Sequence, residues 1–226
     1  MHYWETLAAT QTACGDEIIL RKRGSIYEIR FNGMELMSSA NHLSEDDLAV
    51  SSIARCTHPP KHILIGGLGL GFTLRAVLDH LGEGAEVTVC EIIPEIIEWN
   101  RGVLAHLHDE ALSDPRVKVV TGCVLDHMRS VQSHYDLILL DTDNGPELLV
   151  RPDNGVIYQS SGIAAVEHAL KSNGLAAFWS ATIDKQFERA LSQLPWENSR
   201  QDISIFEGRA DAMHHVYFCA MEQVMV

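Results

Sequence analysis

The sequence contains few basic residues and few cysteines, and it has no apolar run long enough to span a membrane. Its 17 Lys and Arg are outnumbered by 31 Asp and Glu, which gives the 226-residue chain a formal net charge of -14. Binding a nucleic acid requires clustered positive charge, so we expect no nucleic-acid partner. The acidic balance is compatible with a cationic small molecule, although an ordinary acidic globular protein has the same composition.

The cysteines and histidines do not form a pattern typical of disulfides or of a metal site. There are five cysteines, an odd number, and no C-x-x-C pair, which predicts a reduced, cytoplasmic protein. The N-terminus lacks a leader pattern, and we expect no membrane association. His106 and His108 are two residues apart, and His214 and His215 are adjacent. Neither spacing places two ligands on one helix face, so we predict that no metal is bound.

Residues 1–56 are predicted to form a small β-rich unit followed by a helix. Alternating apolar and polar residues over 17–22 and 25–31 indicate a β-hairpin, and a third strand over 34–37 follows an Asn-Gly turn signal. Residues 43–55 have helical spacing, with Ser44 as the expected N-cap and acids in the first turn.

Residues 57–226 are predicted to form a Rossmann-like domain in which strands and helices alternate, as in a parallel sheet with right-handed crossovers. The predicted strands are 62–66, 86–90, 117–121, 136–141 and 175–180. The predicted helices are 72–80, 94–105, 123–130, 160–171 and 184–194. Two further strands, 203–207 and 215–221, have no helix between them and should pair antiparallel. The predicted fold class is α/β, of the S-adenosylmethionine (SAM) methyltransferase type: a mostly parallel seven-stranded sheet with an antiparallel last strand.

The first core strand ends in a glycine loop that is typical of a nucleoside site. Gly67, Gly69 and Gly71 form G-x-G-x-G, and Glu91 ends the next strand. Glycines let the backbone approach a ligand, and an acid at this distance can accept both hydroxyls of a ribose. A dinucleotide fold has G-x-G-x-x-G, so the spacing favours a nucleoside without phosphates, such as SAM or a relative. The predicted cofactor-binding residues are Gly66, Gly67, Gly69, Gly71, Glu91, Ile92, Gly122, Cys123, Val124 and Asp141.

Two acids follow the fourth core strand, at the sheet edge where open α/β folds bind ligands. Asp141 comes directly after an apolar strand, so it would be poorly solvated and able to orient an amine or accept its proton. We predict Asp141 and Asp143 as catalytic residues and Asn144 as a substrate contact. The alternative is an acidic turn in which both carboxylates accept hydrogen bonds from loop amides. Tyr158, in the long loop that follows, is predicted to present its hydroxyl or ring to substrate, with a packed tyrosine as the alternative.

Four segments carry a set of motifs in a characteristic order: residues 63–71, 89–97, 114–117 and 135–146. Together with the β-rich unit that precedes them, they resemble the spermidine/spermine synthase family. The resemblance implies transfer of an aminopropyl group from decarboxylated SAM to an amine such as putrescine, leaving methylthioadenosine. It implies that Glu91 holds the ribose, that the glycine loop holds the thioether end and that Asp141 holds the amine nucleophile. It also implies a homodimer, for which the apolar strand 34–37 is a candidate interface.

Four features differ from the family pattern and leave alternatives open. The family's Tyr-His-Glu, in the helix before the core domain, has become Ser44-Glu45-Asp46 or nearby. Gly69 stands where the family has an acid that contacts the aminopropyl ammonium, and Cys123 stands where it has an acid after the third strand. Asn144 replaces the second acid of the family's D-S-S-D-P motif, unless Asp143 substitutes for it. An acid at position 69 would oppose the carboxylate of intact SAM, so its loss favours a small-molecule methyltransferase that produces S-adenosylhomocysteine. A third possibility is a non-catalytic descendant that binds a nucleoside or a protein partner.

Overall fold

The computed structural model describes residues 2–146, 149, 152–205 and 212–221. Its N-terminal strands are β1 Glu5–Gln11, β2 Glu17–Arg23, β3 Ile26–Phe31 and β4 Met34–Ser38. They form an antiparallel sheet in chain order. Helix α1, Leu43–Arg55, follows this sheet and leads into the first strand of a larger one.

The larger sheet has seven strands and is accompanied by five helices. The strands are β5 His62–Gly66, β6 Glu86–Glu91, β7 Val117–Thr121, β8 Tyr135–Leu140, β9 Leu170–Ser180, β10 Trp196–Ser204 and β11 Met213–Met221. The helices are α2 Phe72–His80, α3 Pro94–Arg101, α4 Val124–Ser130, α5 Ser160–Ala169 and α6 Lys185–Ser192. The strand order is β10-β11-β9-β8-β5-β6-β7. Strands β5 to β9 are parallel and β11 is antiparallel to both of its neighbours, which confirms the predicted fold class.

The central strands are buried on both faces, which explains their continuous apolar sequences. Ile63, Leu64 and Ile65 of β5 have at most 1% of their surface exposed, and residues 137–140 of β8 are fully buried. Crossover helices cover both faces of a parallel sheet, so such strands need no polar side. The chain leaves β5 toward one edge of the sheet and returns to β8 on the other side. The loops after these two strands therefore diverge and open a crevice at the carboxyl edge.

The N-terminal sheet shares its core with the larger sheet. Ile18 and Phe31 of the small sheet belong to the same buried cluster as Leu68, which lies in the glycine loop. Helix α1 packs against α2 and against the β9 side of the larger sheet. The Thr10 hydroxyl also donates a hydrogen bond of 2.8 Å to Glu95 Oε1, joining β1 to α3. The predicted division after residue 56 stays a prediction.

Several element boundaries differ from those predicted. The hydrophobic pattern does not anticipate β1, because its side chains are exposed or half-buried and carry little alternation. Helix α3 ends at Arg101 rather than at residue 105, and residues 102–104 form a turn that leads into a short 3-10 helix at Ala105–Leu107. Strand β9 begins at Leu170, inside the predicted helix 160–171. Strand β10 covers Trp196–Ser204 rather than 203–207, and residues 206 and 207 lie outside the described part of the chain.

The expectation that Ser44 caps helix α1 is wrong. The N-cap is His42, whose side chain makes no capping hydrogen bond, and the Leu43 N–H donates to Asn41 Oδ1 at 3.0 Å. The Ser44 hydroxyl is instead engaged by Glu45 and by His214 of β11. Within the described ranges, no helix combines the length and apolarity needed to cross a membrane.

Candidate active site

The glycine loop lies against the loop that follows β8, and Gly67 makes this close approach possible. Its φ is 92°, in the region that side-chain-bearing residues rarely adopt. A Cβ at this position would lie 2.1 Å from the carbonyl oxygen of Asp141. The Gly67 N–H donates a 2.8 Å hydrogen bond to the Cys90 carbonyl, so the loop is also tied to β6. Glycine at position 67 thus brings three strand ends together.

The N-terminal sheet reaches the same loop through Met37. The Leu70 N–H donates a hydrogen bond to Met37 Sδ at 3.1 Å. A Cβ at Gly69, whose φ is 53°, would lie only 2.5 Å from that sulfur. The loop is held from the other side by Asn100, whose Nδ2 donates to the Gly69 carbonyl at 2.9 Å. A thioether therefore borders the backbone at the position where the related family carries an acid.

Glu91 ends β6 as predicted, and its carboxylate organises the loops around it. Oε2 accepts a 3.0 Å hydrogen bond from the Leu68 N–H, and Oε1 accepts one of 2.8 Å from the Ile93 N–H. The side chain is buried, with 6% of its surface exposed, and it lines a cavity. Glu91 thus ties the glycine loop to the N-cap residue of α3 and contributes a carboxylate to the cavity wall.

A cavity of about 300 Å³ opens at the carboxyl edge of the sheet between β5 and β8. Most of the predicted cofactor and substrate residues line it: Gly67, Gly69, Glu91, Ile92, Gly122, Cys123, Val124, Asp141, Asp143 and Asn144. Gly66 and Gly71 are not among the lining residues. A Cβ at Gly66 would meet Leu140 and Val124 at 3.0 Å, so this glycine serves packing. Gly71 packs beside His108 at the start of α2.

Asp141 and Glu45 form an acidic end of the cavity, to which both contribute. Asp141 Oδ2 accepts a 2.7 Å hydrogen bond from the Thr73 hydroxyl. Burial raises the pKa of the Asp141 carboxyl. Burial, and then the charge of Asp141, raise the pKa of Glu45. Two carboxyls in one poorly solvated space favour a shared proton or a bound cation over two unpaired charges.

Asp143 organises the loop after β8. Its Oδ1 accepts a 2.7 Å hydrogen bond from the Asn144 N–H, and its Oδ2 accepts one of 2.8 Å from Asn154 Nδ2. The side chain has 4% of its surface exposed. These are the contacts expected if Asp143 belongs to an acidic turn and accepts hydrogen bonds from loop amides. Asp143 therefore stabilises the loop beside the cavity. Its predicted catalytic role stays a prediction.

The ring of Tyr158 lies in the core rather than against the cavity. It packs edge-on against Phe187, with ring centroids 5.3 Å apart, and also contacts Phe178. Burial and the nearby charge of Asp143 raise the pKa of its hydroxyl. Tyr158 is not among the lining residues, because its ring packs against Phe178 and Phe187, and the predicted presentation of its hydroxyl or ring to a substrate stays a prediction.

The lining residues that were not predicted include Met37, Glu45 and Trp179. Glu45 was interpreted as a helix-dipole acid, although its neighbourhood stands where the related family has a Tyr-His-Glu motif. Trp179 is 7% exposed, and its Nε1–H has no hydrogen-bond partner within the described structure. A buried indole N–H usually finds an acceptor, so Trp179 is a candidate donor to a ligand. The only available signal was its position at the end of β9, a strand end at the ligand edge.

The cavity contains no basic side chain among its described lining residues, and it contains four acids: Glu45, Glu91, Asp141 and Asp143. Over the described ranges, no group of three or more His, Cys, Asp or Glu is arranged to hold a metal ion. The chemistry available here is the binding of hydroxyls and cations, together with proton transfer to carboxylates.

The sheet order, the antiparallel β11, the glycine loop and the acid that ends β6 define a Rossmann-like fold of the SAM-methyltransferase type. The spermine/spermidine synthase domain profile matches residues 47–192, and the chain belongs to this family.

Curated relatives support the family assignment, and a solved structure supports the fold. The chain is 25% identical over 182 residues to the polyamine aminopropyltransferase of Bacillus mycoides (strain KBAB4), covering 77% of this chain and 63% of that protein. It is 30% identical over 150 residues to polyamine aminopropyltransferase 1 of Hyperthermus butylicus, covering 62% and 49%. A crystal structure of spermidine synthase in complex with the transition state analogue AdoDATO superimposes with a TM-score of 0.78 at 21% identity, covering 96% of this chain and 74% of that one. The chain thus spans less than two thirds of either curated relative's length.

Proposed function

We propose that the chain transfers an aminopropyl group from decarboxylated SAM to a small-molecule amine and releases methylthioadenosine. Membership of the spermine/spermidine synthase family supports the reaction class. The observation that carries the proposal is the arrangement of one cavity, which has a ribose-binding carboxylate, Glu91, and an acidic region formed by Asp141 and Glu45. A nucleoside donor and a cationic amine require these two environments side by side.

The residues present fit the donor. Gly67 lets the glycine loop pack directly against the loop that carries Asp141, where a Cβ would collide, and both loops line the cavity in which the nucleoside would bind. Glu91 would accept from the ribose hydroxyls, and Ile92, Cys123 and Val124 would pack against the base, since all three line the cavity. Decarboxylated SAM supplies a sulfonium whose adjacent propyl carbon is the electrophile.

The acceptor amine would bind at the acidic end. Asp141 attracts the amine in its cationic form and orients it toward the donor. Attack requires a neutral nitrogen, and a carboxylate whose pKa is raised is well matched to take a proton near neutral pH. The nitrogen lone pair forms the new C–N bond, the C–S bond breaks, and its electron pair stays on sulfur. The amine proton goes to the acid pair.

The test is transfer by the purified chain supplied with decarboxylated SAM and a panel of linear diamines and polyamines, with methylthioadenosine measured by mass spectrometry. We expect turnover in the wild type and a decrease in kcat of at least about 100-fold in Asp141→Asn. Asp126→Asn, an exposed acid on α4, is the matched control and should keep full activity. Unchanged turnover of every accepted amine in Asp141→Asn would remove the assigned role.

A SAM-dependent methyltransferase is the second candidate, and the contact between Gly69 and Met37 favours it. No carboxylate stands at position 69, and the neighbouring sulfur is uncharged. The carboxylate of intact SAM would therefore meet no like charge there. Calorimetry with SAM and with decarboxylated SAM separates the candidates, because a clear preference for the decarboxylated form would exclude methyl transfer. A protein that binds neither, and transfers nothing to the amine panel, would match the non-catalytic alternative.

The assembly is also a proposal. Met34 of β4 has 51% of its surface exposed, which leaves an apolar side chain on an edge strand of the small sheet. A homodimer through this edge would cover it. Sedimentation of the wild type and of Met34→Lys tests this: a dimer that the substitution converts to monomer is expected, and a monomeric wild type would refute it.

A further inference from the structure

A chain of hydrogen bonds leaves the acidic end of the cavity through Glu45. The Ser44 hydroxyl oxygen is 2.5 Å from Glu45 Oε2, and the same hydroxyl oxygen is 2.8 Å from His214 Nδ1. These residues come from the first turn of α1 and from β11, and Ser44 and His214 are 170 positions apart in sequence. A single hydroxyl thus connects a cavity acid to an imidazole on another element.

Burial changes along this chain in the direction of an exit. Ser44 and Glu45 have 1% and 7% of their surface exposed, whereas His214 is only partly buried. Asp141 has a different environment, because it is itself partly exposed and its side chain accepts a hydrogen bond from the hydroxyl of Thr73, which is buried. Glu45 is the more buried of the two cavity acids, and hydrogen bonds join it through Ser44 to the partly exposed imidazole of His214.

The surroundings of His214 keep its imidazole neutral, so a proton that reaches it is passed on rather than held. Burial, and then the charge of His215, lower the pKa of His214 to about 4. His215 itself pairs with Asp202, at 2.8 Å between Nδ1 and Oδ1. The edge of the Trp179 ring system contacts His214, with ring centroids 4.7 Å apart. Near neutral pH His214 is uncharged, so it takes a proton only transiently.

We propose that Ser44 and His214 are relay residues that carry the acceptor amine's proton from Glu45 to solvent. The inference rests on the proposed function. The amine proton reaches the Asp141–Glu45 pair. Protonated Glu45 then donates to Ser44 Oγ while the Ser44 hydroxyl proton moves to His214 Nδ1. The imidazolium releases its Nε2 proton to water, and exchange with water restores the starting tautomer. One proton enters and one leaves, with no oxidant or reductant.

The relay predicts a kinetic pattern that a structural role would not produce. Ser44→Ala and His214→Ala should lower kcat about 10-fold or more at saturating donor, while the KM for the amine changes less than about twofold. Imidazole added to His214→Ala should restore activity, with a dependence on the neutral imidazole concentration. His58→Ala, an exposed histidine away from the site, is the matched control and should neither lose activity nor respond to imidazole.

Each outcome decides between the relay and the proposed function. A decrease of less than twofold in both variants, or a His214→Ala deficit that imidazole does not restore, would overturn the relay while the wild type still transfers aminopropyl groups. A wild type that transfers nothing would refute the proposed function, and the relay with it. Ser44→Ala also provides a measurement that needs no turnover. The Ser44 hydrogen bond lowers the pKa of Glu45, so carbon-13 NMR of the labelled carboxyl should show a higher pKa in the variant. An unchanged titration would contradict the hydrogen-bonded chain.

Discussion

Alanine at position 67 is expected to destabilise the fold by about 3–5 kcal/mol. A φ of 92° costs a non-glycine residue roughly 1–2 kcal/mol. The new Cβ would lie 2.1 Å from the Asp141 carbonyl oxygen and 2.9 Å from its carbonyl carbon. Both atoms belong to the backbone, so no side chain can rotate away. The two loops would have to separate, which would strain the 2.8 Å hydrogen bond from the Gly67 N–H to the Cys90 carbonyl. The steric clash and this strain together should cost roughly 2–3 kcal/mol.

Two other glycines divide this cost into its parts. Gly84 has a similar φ of 86°, but a Cβ there would have nothing within 4 Å, so Gly84→Ala measures the backbone strain alone, at roughly 1–2 kcal/mol. Gly82 has neither a positive φ nor a neighbour within 4 Å, so Gly82→Ala should change stability by less than about 0.5 kcal/mol.

Urea unfolding of the three variants is the assay, with midpoints compared at a common slope. For a chain of this size about 4 kcal/mol corresponds to a melting temperature lower by roughly 10 °C. Gly67→Ala should also lose binding of methylthioadenosine, because the displaced loop carries the cavity wall. If Gly67→Ala were no less stable than Gly84→Ala, the close approach of the two loops would not be a determinant of this fold.

Three further perturbations are expected to have measurable effects. Glu91→Gln replaces one carboxylate oxygen by an NH₂ group that faces a backbone N–H, so it should lower the free energy of unfolding in urea by about 1–3 kcal/mol. It should also weaken methylthioadenosine binding measured by calorimetry. Unchanged stability and unchanged binding would contradict the role of Glu91 in holding the loops and the ligand. Gly69→Asp places a side chain at φ 53° against the Met37 sulfur and should cost about 2 kcal/mol, whereas a stabilised variant would show that the sulfur is not held there. The Arg116 hydrogen bonds lower the pKa of Asp114 to about 2, below its ordinary 3.8, so the pair stabilises the fold above about pH 4 and loses this as pH falls through 2. Asp114→Asn should therefore be less stable than wild type by about 1 kcal/mol at pH 7, and a difference that persists undiminished at pH 2 would be inconsistent with this linkage.

The sequence predicted those parts of the site that depend on local patterns. The apolar run of β5, its glycine loop and Glu91 occur within a short stretch, and the pairing of β5 with β6 brings the loop and Glu91 together. The parallel order followed because helices separate the strands, and parallel strands bring their carboxyl ends to one edge. Asp141 was placed at the cavity by the same rule.

Residues whose position depends on tertiary packing were missed or misinterpreted. Met37 reaches the glycine loop only because the small sheet docks on the larger one. Glu45 and Ser44 have the ordinary sequence of a helix start, and only the contact with β11 distinguishes them from capping residues. Tyr158 was expected at the cavity because it lies in a long loop, but apolar packing with Phe187 outweighs exposure for an aromatic ring. Hydrophobic periodicity reports on local structure and does not indicate which distant elements come into contact.

The contact between Met37 and Gly69 makes two positions that are distant in sequence depend on each other, because side chains at these positions compete for the same space. An acidic side chain at position 69 would need the space that the Met37 sulfur occupies. If position 37 is shortened while position 69 stays glycine, the Leu70 N–H loses the sulfur to which it donates. Change at either position alone is therefore costly, whereas change at both can be tolerated. Chains of this architecture should consequently divide into two pairings, glycine with a long side chain and acid with a short one. A library that varies both positions together would reach variants that stepwise substitution does not.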